Sequence, residues 1–127
     1  MLFTDIHHVA IIASNYEKSR HFYSEILGME IIREVYREER QSFKLDLRSG
    51  QVGIELFSFP SPPDRPSGPE ATGLRHLCFA VDSVEGVVKY LKSRGIEVEE
   101  VRVDPYTEKR FTFFKDPDGL PLEIYAK

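Results

Sequence analysis

Two histidines and two glutamates are spaced so that they could hold a metal ion. His8 and Glu55 lie 47 residues apart, and the same separation recurs between His76 and Glu123. Both glutamates lie within apolar segments, where a carboxylate loses hydration that only a partner or a cation restores. Two imidazole nitrogens and two carboxylates form a ligand set whose two negative charges a divalent cation would cancel.

This ligand set favours a catalytic metal site over a closed structural zinc site. Nitrogen and carboxylate ligands with room for water suit octahedral Ni²⁺, Co²⁺, Mn²⁺ or Fe²⁺, or Zn²⁺ with expanded coordination. A cation with open positions can polarise a carbonyl and stabilise an enediolate, while a carboxylate beside it removes a proton from the adjacent carbon. We therefore expect one divalent cation per site, and the ligands alone do not distinguish among these metals.

The elements that must position these residues occur twice along the chain. In each half a buried strand ends at a polar pair typical of a helix cap, a helix follows, a glycine ends it, and three strand-like segments come after. The predicted elements are strand 5–13, helix 16–27 and strands 29–36, 42–47 and 52–59 in the first half, and strand 74–81, helix 84–94 and strands 97–103, 109–114 and 120–125 in the second. Each half is therefore predicted to be a β-α-β-β-β module.

A single offset of 68 positions superimposes the two halves. It places His8 over His76 and Glu55 over Glu123, so each module is predicted to carry one histidine on its first strand and one glutamate on its last. We predict an α+β fold, organised as a single domain over residues 1–127. Its parts are module 1 at about 4–59, a proline-rich connector at about 60–72 and module 2 at about 73–127.

Two shorter segments are expected to be irregular. The connector is rich in proline, which donates no backbone hydrogen bond, so a linker is the favoured interpretation. A lid over a binding site and a polyproline recognition segment are the alternatives. The run Asp116-Pro117-Asp118-Gly119 is typical of a hairpin turn between the last two strands.

Size and composition limit the class of protein. The chain has 127 residues, of which 41% are hydrophobic and 30% charged, and this is enough for one globular domain without disulfides. A net charge of −4 with scattered basic residues gives no stripe for nucleic acid. No apolar run approaches the roughly 20 residues that span a bilayer, and no signal peptide is recognisable, so a cytoplasmic location is expected. Cys78, the single cysteine, lies in an apolar run and is expected to be a core residue.

Several features of the sequence recur together in one known family. They are the repeated β-α-β-β-β order, the opening Ile6-His7-His8-Val9-Ala10-Ile11, the helical Ser19-Arg20-His21-Phe22-Tyr23 and the closing Asp116-Pro117-Asp118-Gly119-Leu120-Pro121-Leu122-Glu123. Together they resemble the vicinal oxygen chelate superfamily of glyoxalases, bleomycin resistance proteins and dioxygenases, over nearly the whole chain. The resemblance implies a curved mixed β-sheet around a metal site, a small-molecule substrate and a homodimer.

Within that superfamily, the ligand order His, Glu, His, Glu is similar to that of bacterial glyoxalase I. Extradiol dioxygenases and fosfomycin-modifying thiol transferases typically use two His and one Glu, and methylmalonyl-CoA epimerases usually have Gln where this chain has Glu55. The resemblance therefore implies a metal-dependent lyase or isomerase, like lactoylglutathione lyase, that acts on an α-oxo compound or its thiol hemithioacetal through an enediolate. It also implies that Glu123 transfers the proton and that Glu55 is its counterpart on the opposite side.

The residues that would recognise the substrate are less clearly marked. Glutathione-using glyoxalases carry an arginine four residues after the first ligand, where this chain has Ile12, so the identity of the thiol stays open. Basic residues on or beside predicted strands are candidates for an anionic substrate, with a solvated surface charge as the alternative for each. They are Arg37, Arg40, Lys44, Arg75, Lys109 and Arg110. Arg75 and Arg110 are favoured because they neighbour ligand strands, and Tyr106 is a further candidate at a loop.

Two other functions stay open at this point. One is a non-catalytic protein that binds a small molecule or an antibiotic, and the other is an Fe²⁺ dioxygenase that acts on catechol-like compounds. The two modules can close one metal site within a chain, or exchange so that each site takes one His/Glu pair from each of two chains. Of the remaining histidines, His7 is expected beside the ligands and His21 on the surface.

Overall fold

The computed structural model describes all 127 residues, and its contacts divide the chain into two units. Unit 1 is Met1–Asp64 and unit 2 is Arg65–Lys127. Each unit contains one four-stranded mixed sheet, with its helix between the first and second strands of the chain order. The predicted α+β class and the two tandem β-α-β-β-β modules are therefore confirmed.

Unit 1 pairs its first strand in parallel with its last. Its strands are β1 (His8–Ala13), β2 (Glu30–Arg37), β3 (Ser42–Ser49) and β4 (Val52–Ser58), and its helix is α1 (Tyr16–His21), which continues as a π-helical turn over Phe22–Ile26. The order across the sheet is β1-β4-β3-β2, with antiparallel pairing except between β1 and β4.

One face of the unit 1 sheet carries the core and the other is open. Alternate residues of the strands are buried, among them Ile11, Ile54 and Leu56, together with Phe22 and Tyr23 from the helical segment. Because successive strand residues point to opposite faces, the residues between them lie on the other side of the sheet. We call that side the open face of unit 1, which carries His8, Ala10, Ile12, Asp46, Lys44, Glu55 and Phe57.

Unit 2 repeats this arrangement with shorter strands. Its elements are β5 (Leu77–Val81), α2 (Val84–Ser93), β6 (Arg102–Val103), β7 (Arg110–Lys115) and β8 (Pro121–Ala126), in the sheet order β5-β8-β7-β6. Leu122, Ile124 and Phe114 are buried on one face, with Val84 and Leu91 from the helix. The opposite side, which we call the open face of unit 2, carries Cys78, Ala80, Phe111, Phe113, Glu123 and Tyr125.

The helices begin where the sequence predicts. Asn15 caps α1 by accepting from the Lys18 N–H, and Ser83 caps α2 by accepting from the Gly86 N–H. These two caps are 68 positions apart, so the repeat extends to the residues that start each helix. Neither helix is long and apolar enough to span a membrane.

One strand prediction is largely wrong. The sequence predicts a strand over 97–103, but only Arg102–Val103 form β6. The buried Thr112 hydroxyl shares its one proton between the carbonyls of Glu99 and Glu100, and the Glu99 N–H donates to the Phe113 carbonyl, so this segment contacts β7 without forming a regular ladder. The strand predicted over 74–81 begins only at Leu77, and no helix or strand is present between β4 and β5.

We predict that Leu122→Ala destabilises the protein strongly. Leu122 is fully buried, and removing such a side chain leaves a cavity that costs about 2–5 kcal/mol. Urea unfolding followed by circular dichroism measures the change. Val103→Ala is the control, because this side chain is 54% exposed and its loss should change the free energy of unfolding by less than about 0.5 kcal/mol. Equal effects of the two substitutions would contradict the assignment of the core.

Candidate functional site

In unit 1, the parallel pairing of β1 and β4 brings His8 and Glu55 onto one face. Gly53 is the register partner of His8, and Glu55 follows two residues later on the same side. A Cβ at Gly53 would lie 3.2 Å from His8 Cβ, so the glycine leaves space for the histidine across the strand. His8 Nε2 then lies 3.5 Å from Glu55 Oε2.

In unit 2, His76 and Glu123 form a second pair of the same kind. His76 immediately precedes β5, and Glu123 lies in β8 in register with Cys78. His76 Nε2 is 3.1 Å from Glu123 Oε1, and the histidine ring makes an edge contact with Phe113 at 5.1 Å between centroids. The Glu123 side chain is only 13% exposed.

The two histidines are oriented in the same way. His8 Nδ1 lies 2.9 Å from His7 Nδ1, and His76 Nδ1 lies 3.0 Å from Nη1 of Arg75. His7 and Arg75 each precede their histidine in the chain. Because a guanidinium only donates, His76 Nδ1 accepts, and the proton of the neutral ring is then on Nε2, towards Glu123. In both units, therefore, Nε2 faces the glutamate and a preceding residue contacts Nδ1.

The two glutamates have different surroundings. Glu55 on β4 is in register with Asp46 on β3. Lys44 lies 3.9 Å from Glu55 and 2.9 Å from Asp46. Glu123 has Phe113 as its register partner on β7, and its ion pair is with His76. Glu55 therefore lies beside a second carboxylate and a lysine, whereas Glu123 lies beside an aromatic ring that does not compensate its negative charge.

Within each unit, no group of three or more His, Cys, Asp or Glu side chains has the geometry to hold a metal ion. Each unit by itself therefore contributes two potential metal ligands, one histidine and one glutamate.

The predicted substrate-binding residues lie in three different settings. Arg75 contacts both His76 and Glu70, the latter at 2.5 Å. Arg110 lies on the helix-covered side of β7 and forms an ion pair with Glu85 of α2, so it does not share a face with Glu123. Tyr106 is 93% exposed, in the loop between β6 and β7.

Two arginines that the sequence did not favour as substrate-binding residues lie on the open faces. The Arg37 guanidinium lies 4.9 Å from the centroid of the Phe57 ring, and that of Arg102 lies 5.3 Å from the Phe111 ring. A guanidinium over an aromatic face is held by cation–π attraction of about 0.5–2 kcal/mol. Strand alternation could have placed the rings, but the approach of Arg37 from β2 across β3, and of Arg102 from β6, has no local signature.

Cys78 differs from the expectation of a core residue. It is exposed on the open face of unit 2, because strand alternation puts Leu77 and Phe79 on the opposite side of β5 and sets Cys78 in register with Glu123. Desolvation, followed by the nearby Glu123 carboxylate, raises the pKa of the Cys78 thiol to about 12. The thiol is therefore protonated at neutral pH, which argues against a thiolate nucleophile.

Comparison with known proteins places the chain in a family. The profile of the Glyoxalase/Bleomycin resistance protein/Dioxygenase superfamily matches residues 5–124. The chain belongs to this superfamily. The uncharacterized protein YaeR of Escherichia coli (strain K12) is 60% identical over 123 residues, which cover 96% of this chain and 95% of YaeR.

Two further comparisons extend the likeness to a solved structure and a named enzyme. The crystal structure of a glyoxalase family protein from Enterococcus faecalis has a TM-score of 0.92 and 53% identity, covering 98% of this chain and 99% of that one. The lactoylglutathione lyase of Schizosaccharomyces pombe is 26% identical over 144 residues, covering 96% of this chain and 47% of that enzyme. The superfamily therefore includes enzymes among the relatives of this chain.

In this superfamily member, the loop that carries Tyr106 is tied to the strand that carries Glu123. Asp104 accepts from the Tyr106 backbone N–H at 2.8 Å and from the Tyr125 hydroxyl at 2.7 Å, and Thr107 bonds the same hydroxyl. Tyr125 lies two residues after Glu123 on the same face. The network thus fixes the base of the loop beside the candidate glutamate.

We predict that Tyr125→Phe raises the pKa of Asp104. Hydrogen bonds from the Tyr106 backbone and then from the Tyr125 hydroxyl hold the pKa of the Asp104 carboxyl below its usual range, because they stabilise its ionised form. Removing the hydroxyl should move the pKa up towards the ordinary value, as a carbon-13 NMR titration of the carboxyl would record. Tyr106→Phe is the control, since it leaves the backbone donor in place, and an identical shift in both variants would disprove the network.

Proposed function

We propose that this protein is a divalent-metal-dependent lyase or isomerase of the glyoxalase I type, acting on an α-oxo compound or its thiol hemithioacetal. The observation that carries the proposal is the presence, in each unit, of one histidine Nε2 facing one largely buried glutamate at repeat-equivalent positions. Membership of the superfamily and the likeness to a lactoylglutathione lyase support it. The proposed ligands are His8, Glu55, His76 and Glu123.

The donor chemistry of these residues fits a divalent cation. The Glu55 and Glu123 side chains are 20% and 13% exposed, so their charges are poorly hydrated and gain by coordination. In both pairs Nε2 faces the glutamate, so Nε2 is the proposed coordinating atom. At His76 this requires the ring proton to be on Nδ1, so Arg75 would have to turn away from Nδ1 when the cation binds. Two nitrogens and two carboxylates suit Ni²⁺, Co²⁺, Zn²⁺, Mn²⁺ or Fe²⁺.

The chemistry divides between the cation and the protein. When bound, the cation would polarise the substrate carbonyl and acidify the neighbouring C–H. Glu123 is proposed to take that proton and return it to the adjacent carbon, because its apolar surroundings leave its charge less compensated than that of Glu55. Glu55, which Lys44 partly neutralises, is proposed as its counterpart.

The remaining roles follow the same proposal. Arg75 and Tyr106 are proposed substrate contacts, whereas the ion pair between Arg110 and Glu85 favours a structural role for Arg110. A homodimer is proposed because the apolar residues Ile32 and Val35 are exposed on β2, the edge strand of the unit 1 sheet.

We predict that His76→Ala lowers the affinity for Ni²⁺, Co²⁺ or Zn²⁺ by more than about tenfold, because it removes one of four ligand groups. Elemental analysis of the purified protein and calorimetric titration of the metal-stripped protein measure occupancy and affinity. His21→Ala is the matched control, since His21 pairs with Glu25 on the helix surface. Equal metal affinity in the two variants would remove His76 from the ligand set.

We predict that Glu123→Gln abolishes exchange of the substrate C–H with solvent deuterium, because an amide cannot accept and return the proton. The measurement is proton NMR of methylglyoxal hemithioacetals of several thiols, incubated with the metal-loaded protein in deuterated water. Glu97→Gln is the control, because Glu97 is exposed and outside both pairs. A Glu123→Gln variant that retains metal and exchanges at the wild-type rate would overturn the catalytic assignment.

A further inference from the structure

Arg37 is a positioned cation on the open face of unit 1. It is the last residue of β2, and its Nη2 donates to the Ser42 hydroxyl at 3.0 Å. Its guanidinium lies over two rings, 4.9 Å from the centroid of Phe57 and 5.8 Å from that of Phe59. Stacking and the hydrogen bond together restrict the side chain to one place before any ligand arrives.

The other charges on this face are paired, and that of Arg37 is not. Asp46 pairs with Arg33 and with Lys44, each at 2.9 Å, and Lys44 also lies near Glu55. No Asp or Glu forms an ion pair with Arg37, whose Nε is buried without a hydrogen-bond partner. A stacked guanidinium is weakly hydrated, so it loses little water when an oxyanion bonds its terminal Nη groups through strong, charge-assisted bonds.

The distance from Arg37 to the His8/Glu55 pair suits one small molecule. Phe57 follows Glu55 by two residues on β4, which is roughly 7 Å along a strand. Its register partner on β1 is Ile12, whose side chain is 53% exposed. The surface from the glutamate to the guanidinium is therefore formed by Phe57 and Ile12, with Lys44, which pairs with Asp46, beside Phe57 on β3.

We infer that Arg37 binds an anionic group of the substrate, a carboxylate or a phosphate, while the reacting part of the same molecule lies at the His8/Glu55 pair roughly 7 Å or more away. This rests on the proposed function for the reacting end and names the class of substrate that the proposed function left open. The binding of an anion by Arg37 can be measured without turnover.

The first test is direct binding of two probe anions, inorganic phosphate and propionate, to the full-length chain at constant ionic strength. NMR of the arginine side-chain N–H groups reports which arginine responds. We expect the Arg37 resonance to shift and Arg37→Gln to weaken binding by about tenfold or more, since bonds to charged groups contribute about 1.5–3 kcal/mol. The probe that binds with the higher affinity indicates whether the anionic group of the substrate is a phosphate or a carboxylate.

Arg40→Gln is the matched control, because the structure places Arg40 on the surface, in agreement with the alternative of a solvated charge. Arg40 is exposed and lies three residues after Arg37. Like Arg37, it forms no ion pair, whereas Arg20 and Arg33 of the same unit do. Its loss removes the same charge and should change the affinity by less than about twofold, because a solvated charge is screened. Equal weakening by both substitutions, or no response of the Arg37 resonance to either anion, would overturn the inference. If Arg37→Gln does not fold, the wild-type resonance and Arg37→Lys, which keeps the charge but cannot stack as a plane, still decide the question.

The second test compares turnover of the methylglyoxal hemithioacetals of 3-mercaptopropionate and 2-mercaptoethanol. We expect kcat/KM to favour the anionic adduct, and Arg37→Gln but not Arg40→Gln to remove that preference. A preference that survives in Arg37→Gln would overturn the assignment. Absence of turnover with both adducts, accompanied by binding of phosphate or propionate at Arg37, would count against the proposed function while supporting the anion site.

Discussion

The site depends on the parallel pairing of the first strand of each unit with its last. In unit 1 this pairing sets Ala10 beside Glu55, and in unit 2 it sets Cys78 beside Glu123. Parallel neighbours need a long crossover connection, and in each unit the helix and the two middle strands together supply it. Residues far apart in the chain thereby become neighbours on one face.

The hydrophobic core fixes which face the glutamates occupy. Ile54 and Leu56 flank Glu55, and Leu122 and Ile124 flank Glu123, and all four flanking residues are buried. A slip of one residue in the register would move each carboxylate into the core and four apolar side chains into solvent. The energetic cost of that exchange is what keeps both glutamates on the open faces, beside their histidines.

The two units use one plan but differ in their chemical environment. Around Glu55 the opposing residue is Asp46, and cations from neighbouring strands balance the two carboxylates. Around Glu123 the opposing residue is Phe113, and an exposed tyrosine loop is tied to the same strand through Tyr125. A duplicated framework in this way places one glutamate beside a second carboxylate and its cations and the other beside an aromatic ring.

The sequence by itself determined the repeat, the fold class and the place of each glutamate on the last strand of its module, whereas His76, predicted on a strand, lies just before β5. Hydrophobic alternation, the caps at Asn15 and Ser83 and the shared spacing are local or periodic signals, and these survive folding because burial and backbone hydrogen bonds act on them directly. Of the strand predicted over 97–103 only Arg102–Val103 form, and the Thr112 hydroxyl bonds the backbone there, a contact between distant residues that no local pattern encodes.

Only the tertiary structure decided what surrounds each pair. The sequence favoured Arg75 and Arg110 for their nearness to ligand strands, but nearness in the chain does not specify a face, and Arg110 lies on the helix-covered side with Glu85. Arg37 reaches the rings of Phe57 and Phe59 from β2 across the intervening strand. Long side chains span the distance between strands, so their partners depend on strand order, register and rotamer, which are fixed only when the sheet forms.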